Sequence, residues 1–288
     1  MSDKEELFAI LLMTYLTLAS DVGKLRKQTG SGMMDCKKAL IEANGDFDIA
    51  VDILRKKGQK VAAKRADRQA TEGVVIAKNN TLNTKAIIIS LNCETDFVAK
   101  NEDFIKIANN ILDKAIDNDL SSSEELNEIV LDDSMTVAEK VLEQTGVIGE
   151  KIEVSSQIVE SAQVSSYVHA GNRLATIVGF NNTTDSQVAR DVAMQVAAMN
   201  PIAIDRHGVE QETIDRELEI AKDLARQEGK PEQMLEKIAL GRLNKFFKEN
   251  TLLNQSFIKD GKKSVAQYLK EHDSELTVTS FKRVGLSS

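Results

Sequence analysis

The sequence predicts an α+β protein: three short helices, then a two-part α+β core with antiparallel sheets, and a protruding antiparallel helical hairpin. Three observations carry the prediction. Apolar residues recur at helical spacing from Val22 to Leu54. Beyond Gly73 that period gives way to short β-branched runs bounded by Asn and Thr. Later in the chain, Gly229-Lys230-Pro231 separates two long charged stretches, pairing a glycine stop with a proline start.

Composition sets the outer bounds. The chain has 288 residues, enough for about two domains of ordinary size. With 37 basic and 45 acidic side chains it carries a net charge of −8, which argues against a general nucleic-acid binder held by phosphate contacts. At 42% apolar and 28% charged it reads as a globular chain able to bury a core, neither a disordered tail nor a membrane bundle. Aromatics are 4% and Trp is absent, so aliphatic side chains must fill that core. Cys36 and Cys93 form no metal-spaced pair, and so few thiols suit a reducing, cytoplasmic setting without disulfides. His169, His207 and His272 are far apart and lack the spacing that seats zinc; no metal and no cofactor are expected.

Residues 1–20 form an atypical opening. The apolar run from Phe8 to Ala19 is shorter than the roughly twenty residues a bilayer span needs. Asp3, Glu5 and Glu6 before it disfavour a signal peptide, so it is expected to pack as a helix on the protein or on a partner. Residues 21–58 read as a three-helix unit. Val22 and Leu25 begin the first helix, which breaks at Thr29 to Gly32. Met33, Cys36, Ala39, Leu40 and Ala43 line the second, Asn44-Gly45 stops it and Asp46 caps the third. Gly58 is expected to end the third helix. Arg55 to Arg68 holds seven cations against one Asp, and residues 59–72 are expected to be a solvated basic linker.

Residues 73–150 form the first half of the expected core. Val74 to Lys78 and Ala86 to Leu91 pair as strands, and Phe104, Ala108, Ile111, Leu112 and Ala115 mark one helix face. Val137, Val141 and Leu142 mark another. Residues 151–208 loosely repeat this order, with runs near Ile152 to Val164, Ser166 to His169 and Leu174 to Phe180, then a helix through Val188, Val192, Val196 and Met199. The repetition suggests duplicated subdomains. Residues 209–249 form the hairpin, a coiled-coil-like pair with a narrow apolar stripe that can offer its surface to another protein. Residues 250–288 return to the second subdomain, with Thr277 to Val284 as its last strand.

Catalytic chemistry is not written in this sequence. It has no phosphate loop, no GxGxxG after a strand, no GxSxG and no evident nucleophile beside a base. Cys36 lies beside Lys37 and Lys38, but its helical spacing, like the strand setting of Cys93, favours buried packing. His169 reads equally as a surface contact or a strand-end residue. The peculiar segment is Thr95 to Lys100, TDFVAK, where a strand gives way to a helix. On one reading Asp96 is a helix cap and Phe97 a hydrophobic staple. On the other, Phe97 beside Asp96 is an exposed anchor for a partner.

Five segments carry a resemblance: Lys24 to Gly58, Lys64 to Gly73, Asn92 to Phe104, Ser166 to Arg173 and Gly229 to Glu249. Together they resemble the bacterial translation elongation factor Ts family, guanine-nucleotide exchange factors of elongation factor Tu. The resemblance implies a ubiquitin-associated-type three-helix domain, a two-part core and a protruding hairpin. It assigns the dislodging of Mg²⁺ from the GTPase to Thr95, Asp96, Phe97 and Val98, and further partner contacts to Leu25, Met33, Met34 and His169. It implies a non-enzyme whose partner is elongation factor Tu, with no direct nucleic acid and no membrane, and leaves dimerisation open. The competing reading is a non-enzymatic adaptor that binds through its three-helix domain and hairpin. Three departures from the family stand out: residues 1–20, Gln195 where a His is common, and an ending at Ser288 without the extra C-terminal helix of some members.

Overall fold

The computed structural model describes residues 19–286 except Asp133. The expected N-terminal apolar helix therefore lies, but for its last residue, outside the described residues. Helix α1 covers residues 19–29, followed by α2 (Met33–Glu42) and α3 (Phe47–Arg65). Val22, Leu25, Cys36, Ala39, Leu40, Ala43 and Ala50 meet in one small core. Asn44 (φ 50°) and Gly45 (φ 84°) turn the chain between α2 and α3, and the Asp46 carboxylate accepts the Ile49 N–H at 3.0 Å.

The first sheet is built from β1 (Glu72–Asn79) and β2 (Lys85–Cys93), which pair as an antiparallel hairpin. A one-turn helix α4 (Asp96–Ala99) and the long α5 (Glu102–Asp117) follow, then α6 (Val137–Ile148). β3 (Glu153–Glu160) closes the sheet on the far side of β2, in the order β1-β2-β3. A division at residue 150 sets β3 with the second half of the core; its hydrogen bonds join it to the first sheet.

The second sheet repeats this plan. β4 (Gln163–Val168) and β5 (Leu174–Phe180) form a hairpin, α7 (Ser186–Met199) crosses it, and β8 (Val278–Gly285) returns beside β5. The expected repetition thus takes the form of two hairpin-helix-strand units. Between α7 and β8 come the hairpin α8 (Gln211–Gln227) and α9 (Glu232–Asn250), the short β6 (Ser256–Phe257) and β7 (Asp260–Ser264), and α10 (Val265–His272).

The core follows from alternation along β1 and β2. Val74, Ile76, Ile87, Ile89 and Leu91 face α5, meeting Phe104, Ala108, Ile111 and Ala115. Val75, Ala86 and Ile88 face the opposite way and pack on Val164, Ala175 and Ile177 of the second sheet. α7 covers the outer face of that sheet through Val188, Val192 and Val196. The result is four layers, helix-sheet-sheet-helix, with aliphatic side chains filling each gap. The α8–α9 hairpin closes on Ala221, Ala225, Leu235, Ala239 and Leu243, and Gly229 (φ +74°) makes its turn.

Gly58 corrects the expected helix stop. α3 runs through it to Arg65, and Gly58 is buried against α6. A Cβ placed on Gly146 would lie 2.7 Å from Gly58 Cα, and one on Gly58 would lie 3.2 Å from the Leu142 carbonyl oxygen. The two glycines therefore serve a close helix crossing, where the missing side chains let two backbones meet. That crossing seats the three-helix unit on the core.

Candidate partner-binding site

The TDFV turn grows out of the end of β2. Cys93 pairs with Glu72 of β1, and its buried thiol donates to the Thr95 carbonyl oxygen at 3.2 Å. Burial, and then the Glu150 charge, push that thiol up to about 12. Thr95 stands at the N-cap of α4, Asp96 is the first helical residue, and Lys100 ends the turn. Asn101 then caps α5 by accepting the Asp103 N–H at 2.8 Å.

This local layout overturns the cap-and-staple reading. Asp96 lies inside the turn and binds Lys100 Nζ at 2.6 Å, an interaction that holds its carboxyl below the ordinary range. Phe97 is 83% exposed. A staple needs its two apolar partners to flank one helix start. Here α4 ends before Phe104, which belongs to a separately capped helix, so Phe97 has nothing to staple. Val98 is half-buried against the α5-side core and Ala99 is buried, anchoring the turn from which the ring projects.

Two carboxylates grip the turn from behind. Glu150, just past the α6 stop at Gly149 (φ +79°), accepts the N–H groups of Glu94 and Thr95 at 3.0 Å each, and the Thr95 hydroxyl at 2.7 Å. Glu94 accepts both the Arg65 guanidinium, at 2.9 and 3.1 Å, and the Lys151 N–H at 2.7 Å. Lys151 Nζ in turn donates to the carbonyls of Ala66 and Arg68, just beyond α3. Sequence reading singled out neither Glu150 nor Lys151 and gave Glu94 and Arg65 no part in the turn, because Glu94 and Glu150 are 56 positions apart and form no spaced motif. A glutamate directly after a left-handed glycine stop was the available signal.

His169 sits at the β4–β5 turn, exposed, with its Nδ1 2.9 Å from the Tyr167 hydroxyl. Gly171 (φ +89°) and Asn172 (φ 54°) shape that turn. The Asn172 carbonyl accepts the Val75 N–H of β1 at 2.7 Å, and Arg173 binds the Glu72 carboxylate. The Arg173 guanidinium is stabilised chiefly by Glu72, and the Asp96 charge adds to the effect. Glu72 pairs with Cys93, so the His169 turn and the TDFV turn occupy one edge of the molecule.

The small unit divides its assigned residues. Met33 and Met34, at the start of α2, are 58% and 62% exposed. Leu25 is fully buried among Val22, Cys36 and Leu40 and presents no surface, so its assignment as a contact is corrected to one of holding the helices together. Its spacing placed it on the inner face of an amphipathic helix, where the three-helix core closes. Gln195 is also fully buried: its amide donates to Gln255 Oε1 at 3.1 Å and the Ser256 carbonyl at 3.2 Å, and accepts the Ile258 N–H at 2.8 Å. It ties α7 to the β6–β7 turn. Among the described residues no group of three or more His, Cys, Asp or Glu could hold a metal ion.

A family model for elongation factor Ts matches residues 94–288, beginning at the turn that bears Phe97. The chain belongs to the elongation factor Ts family. It is 57% identical over 271 residues to elongation factor Ts of Christiangramia forsetii, covering 93% of this chain and 98% of that protein. The protein of the same name from Flavobacterium psychrophilum is 54% identical over 272 residues, with coverage of 93% and 98%. That of Porphyromonas gingivalis is 49% identical over 269 residues, with coverage of 93% and 97%. Membership makes this protein a nucleotide exchange factor of translation elongation, partnered with elongation factor Tu, and disfavours the adaptor reading. No helix among the described residues is long and apolar enough to cross a membrane.

Proposed function

We propose that the TDFV turn is the element that loosens Mg²⁺ and GDP from elongation factor Tu. Phe97 intrudes as an apolar ring, Asp96 brings a negative charge beside it, and Thr95 and Val98 hold the turn to the body. Met33, Met34 and His169 are the flanking contacts, with residues 21–58 as the unit that presents the methionines. The single observation that supports this is the 83% exposure of a phenylalanine whose neighbours Val98 and Ala99 are packed inward. An isolated aromatic on a firmly anchored turn has a large desolvation gain waiting for a partner pocket.

The physics is differential binding. A GTPase holds GDP through backbone amides around the phosphates and a Mg²⁺ that bridges to them. A wedge that fits only the conformation in which those groups have shifted stabilises that conformation and lowers nucleotide affinity. By linkage, GDP weakens the exchange factor to the same degree, so incoming nucleotide drives the complex apart. No bond is made or broken on the factor. The work is done in the cytoplasm, on the GTPase, without direct contact to nucleic acid. Release of a fluorescent GDP from elongation factor Tu, with and without this protein, tests the reading. Acceleration by the factor is expected, and its absence would end the proposal.

A further inference from the structure

We infer that Glu150 is a positioning residue for nucleotide exchange: its carboxylate fixes the direction in which Phe97 projects. The inference rests on the role proposed above for the TDFV turn.

Phe97 has no packing of its own to define its direction. It stands on a helix of four residues, too short to be stable by itself, and the residue at its N-cap supplies no side-chain cap. Thr95 is a residue type that ordinarily folds its hydroxyl back onto the first helical amides. Here the hydroxyl points away and donates to Glu150 at 2.7 Å. The same carboxylate takes the N–H groups of Glu94 and Thr95, both at 3.0 Å. Three donors from two consecutive residues thus converge on one side chain, which fixes both the position and the twist of the backbone entering α4. With the twist fixed, Val98 and Ala99 are directed inward and Phe97 outward.

The neighbouring contacts extend the clasp to the three-helix unit. Glu150 and Lys151 are consecutive residues between α6 and β3. While Glu150 holds the turn, Lys151 donates its N–H to Glu94 and its ammonium to the carbonyls of Ala66 and Arg68. Arg65, the last residue of α3, closes the loop on Glu94. One dipeptide thereby references the ring to the end of the helix that leads back to Met33 and Met34. A partner meeting both surfaces at once gains from their fixed relation, since ordering them on binding would otherwise oppose association. Glu150 itself makes no claim to touch the GTPase.

The test is a double-mutant cycle on the full chain, read as kcat/KM for catalysed GDP release. In Glu150→Gln the side chain keeps its size but loses its charge: one amide oxygen is left to accept the Glu94 and Thr95 N–H groups as neutral bonds, and the amide nitrogen, which can only donate, no longer accepts the Thr95 hydroxyl. A loss of about tenfold is expected for Glu150→Gln in the wild-type background, from a wedge no longer held in productive geometry. With Phe97→Ala already present, Glu150→Gln is expected to cost nothing further, because there is no ring left to aim. Hydrogen exchange should show faster opening of the Glu94 and Thr95 amides in Glu150→Gln, with β1 and β5 unchanged. Thr95→Val, which removes only the hydroxyl's bond, should give a smaller loss that also vanishes beside Phe97→Ala, and it substitutes for Glu150→Gln if that variant does not fold. Equal losses in both backgrounds, or no loss in the wild-type background, would overturn the inference while leaving the wedge role standing. If Phe97→Ala alone leaves exchange intact, the wedge role falls and the inference falls with it.

Discussion

Replacing Phe97 by alanine separates two roles that a phenylalanine can play, and the exposure of its side chain sets the sizes. A buried Phe→Ala change costs about 3–5 kcal/mol of folding stability. With Phe97 83% exposed, only a small part of its surface is removed from water in the free protein, so the expected loss is below about 1 kcal/mol. The exposed remainder is what a partner can cover. For a side chain offering about 200 Å² in all, and about 25 cal/mol per Å², complete burial would contribute up to roughly 4 kcal/mol. Anchors truncated in measured interfaces commonly lose about 2–4 kcal/mol. Taking the middle of that range, kcat/KM for GDP release should fall about 100-fold. The assay is stopped-flow release of fluorescent GDP over a series of factor concentrations, run beside urea unfolding of the same variant. A midpoint unchanged within error and a fall of about two decades in exchange are expected together. A variant that unfolds early but exchanges normally when folded would show that the ring belongs to the core after all.

Other substitutions probe the scaffold. Gly146→Ala gains about 1 kcal/mol of helix propensity, but its Cβ would stand 2.7 Å from Gly58 Cα, so α3 and α6 must part. Overpacking of that kind costs about 1–3 kcal/mol; the melting temperature should fall, and a rise would mean that the crossing is looser than described. Gln195→Leu strands the Ile258 N–H and two acceptors inside the protein, which should remove at least about 2 kcal/mol of stability while exchange per folded molecule is retained. Alkaline pH should destabilise the fold. Burial raises the Cys93 thiol from 9.0 to about 12 and the Tyr268 hydroxyl, also facing the Asp191 charge, from 10.0 to about 12. The unfolded forms ionise first, so stability present below about pH 9 is lost as pH climbs toward 12. Urea midpoints at pH 8 and pH 10.5 check this, and Cys93→Ala should flatten the slope.

Much of the fold is local and was legible as such. Asn44-Gly45, Asp46 and the α2 and α3 stripes are decided by residues within a turn or two of one another, where propensity, capping and periodicity agree. The α8–α9 hairpin is equally local, with its turn glycine between two amphipathic runs. The paired strands Val74 to Lys78 and Ala86 to Leu91 were legible because a short connection makes them neighbours by default. Gly58 was misread for the opposite reason. A glycine near the end of an apolar stripe signals a stop if the chain is considered alone, and a crossing if another backbone lies against it. Only the tertiary structure supplies α6. Leu25 shows the same limit: being one of the residues of a recognised segment does not say whether its side chain faces a partner or the core.

By itself the sequence determined that this is an α+β exchange factor with TDFV as its unusual element, because helix stripes, strand runs and long particular segments are properties of residues near one another in the chain. It left undecided whether Phe97 is buried. That depends on where α4 ends, on Glu150 reaching the Thr95 hydroxyl from 55 residues away, and on the packing of Val98 and Ala99. Burial and carboxylate clasps arise from surfaces brought together across long chain separations. Their free energy is set by distance in space, which short-range pattern in a sequence does not encode.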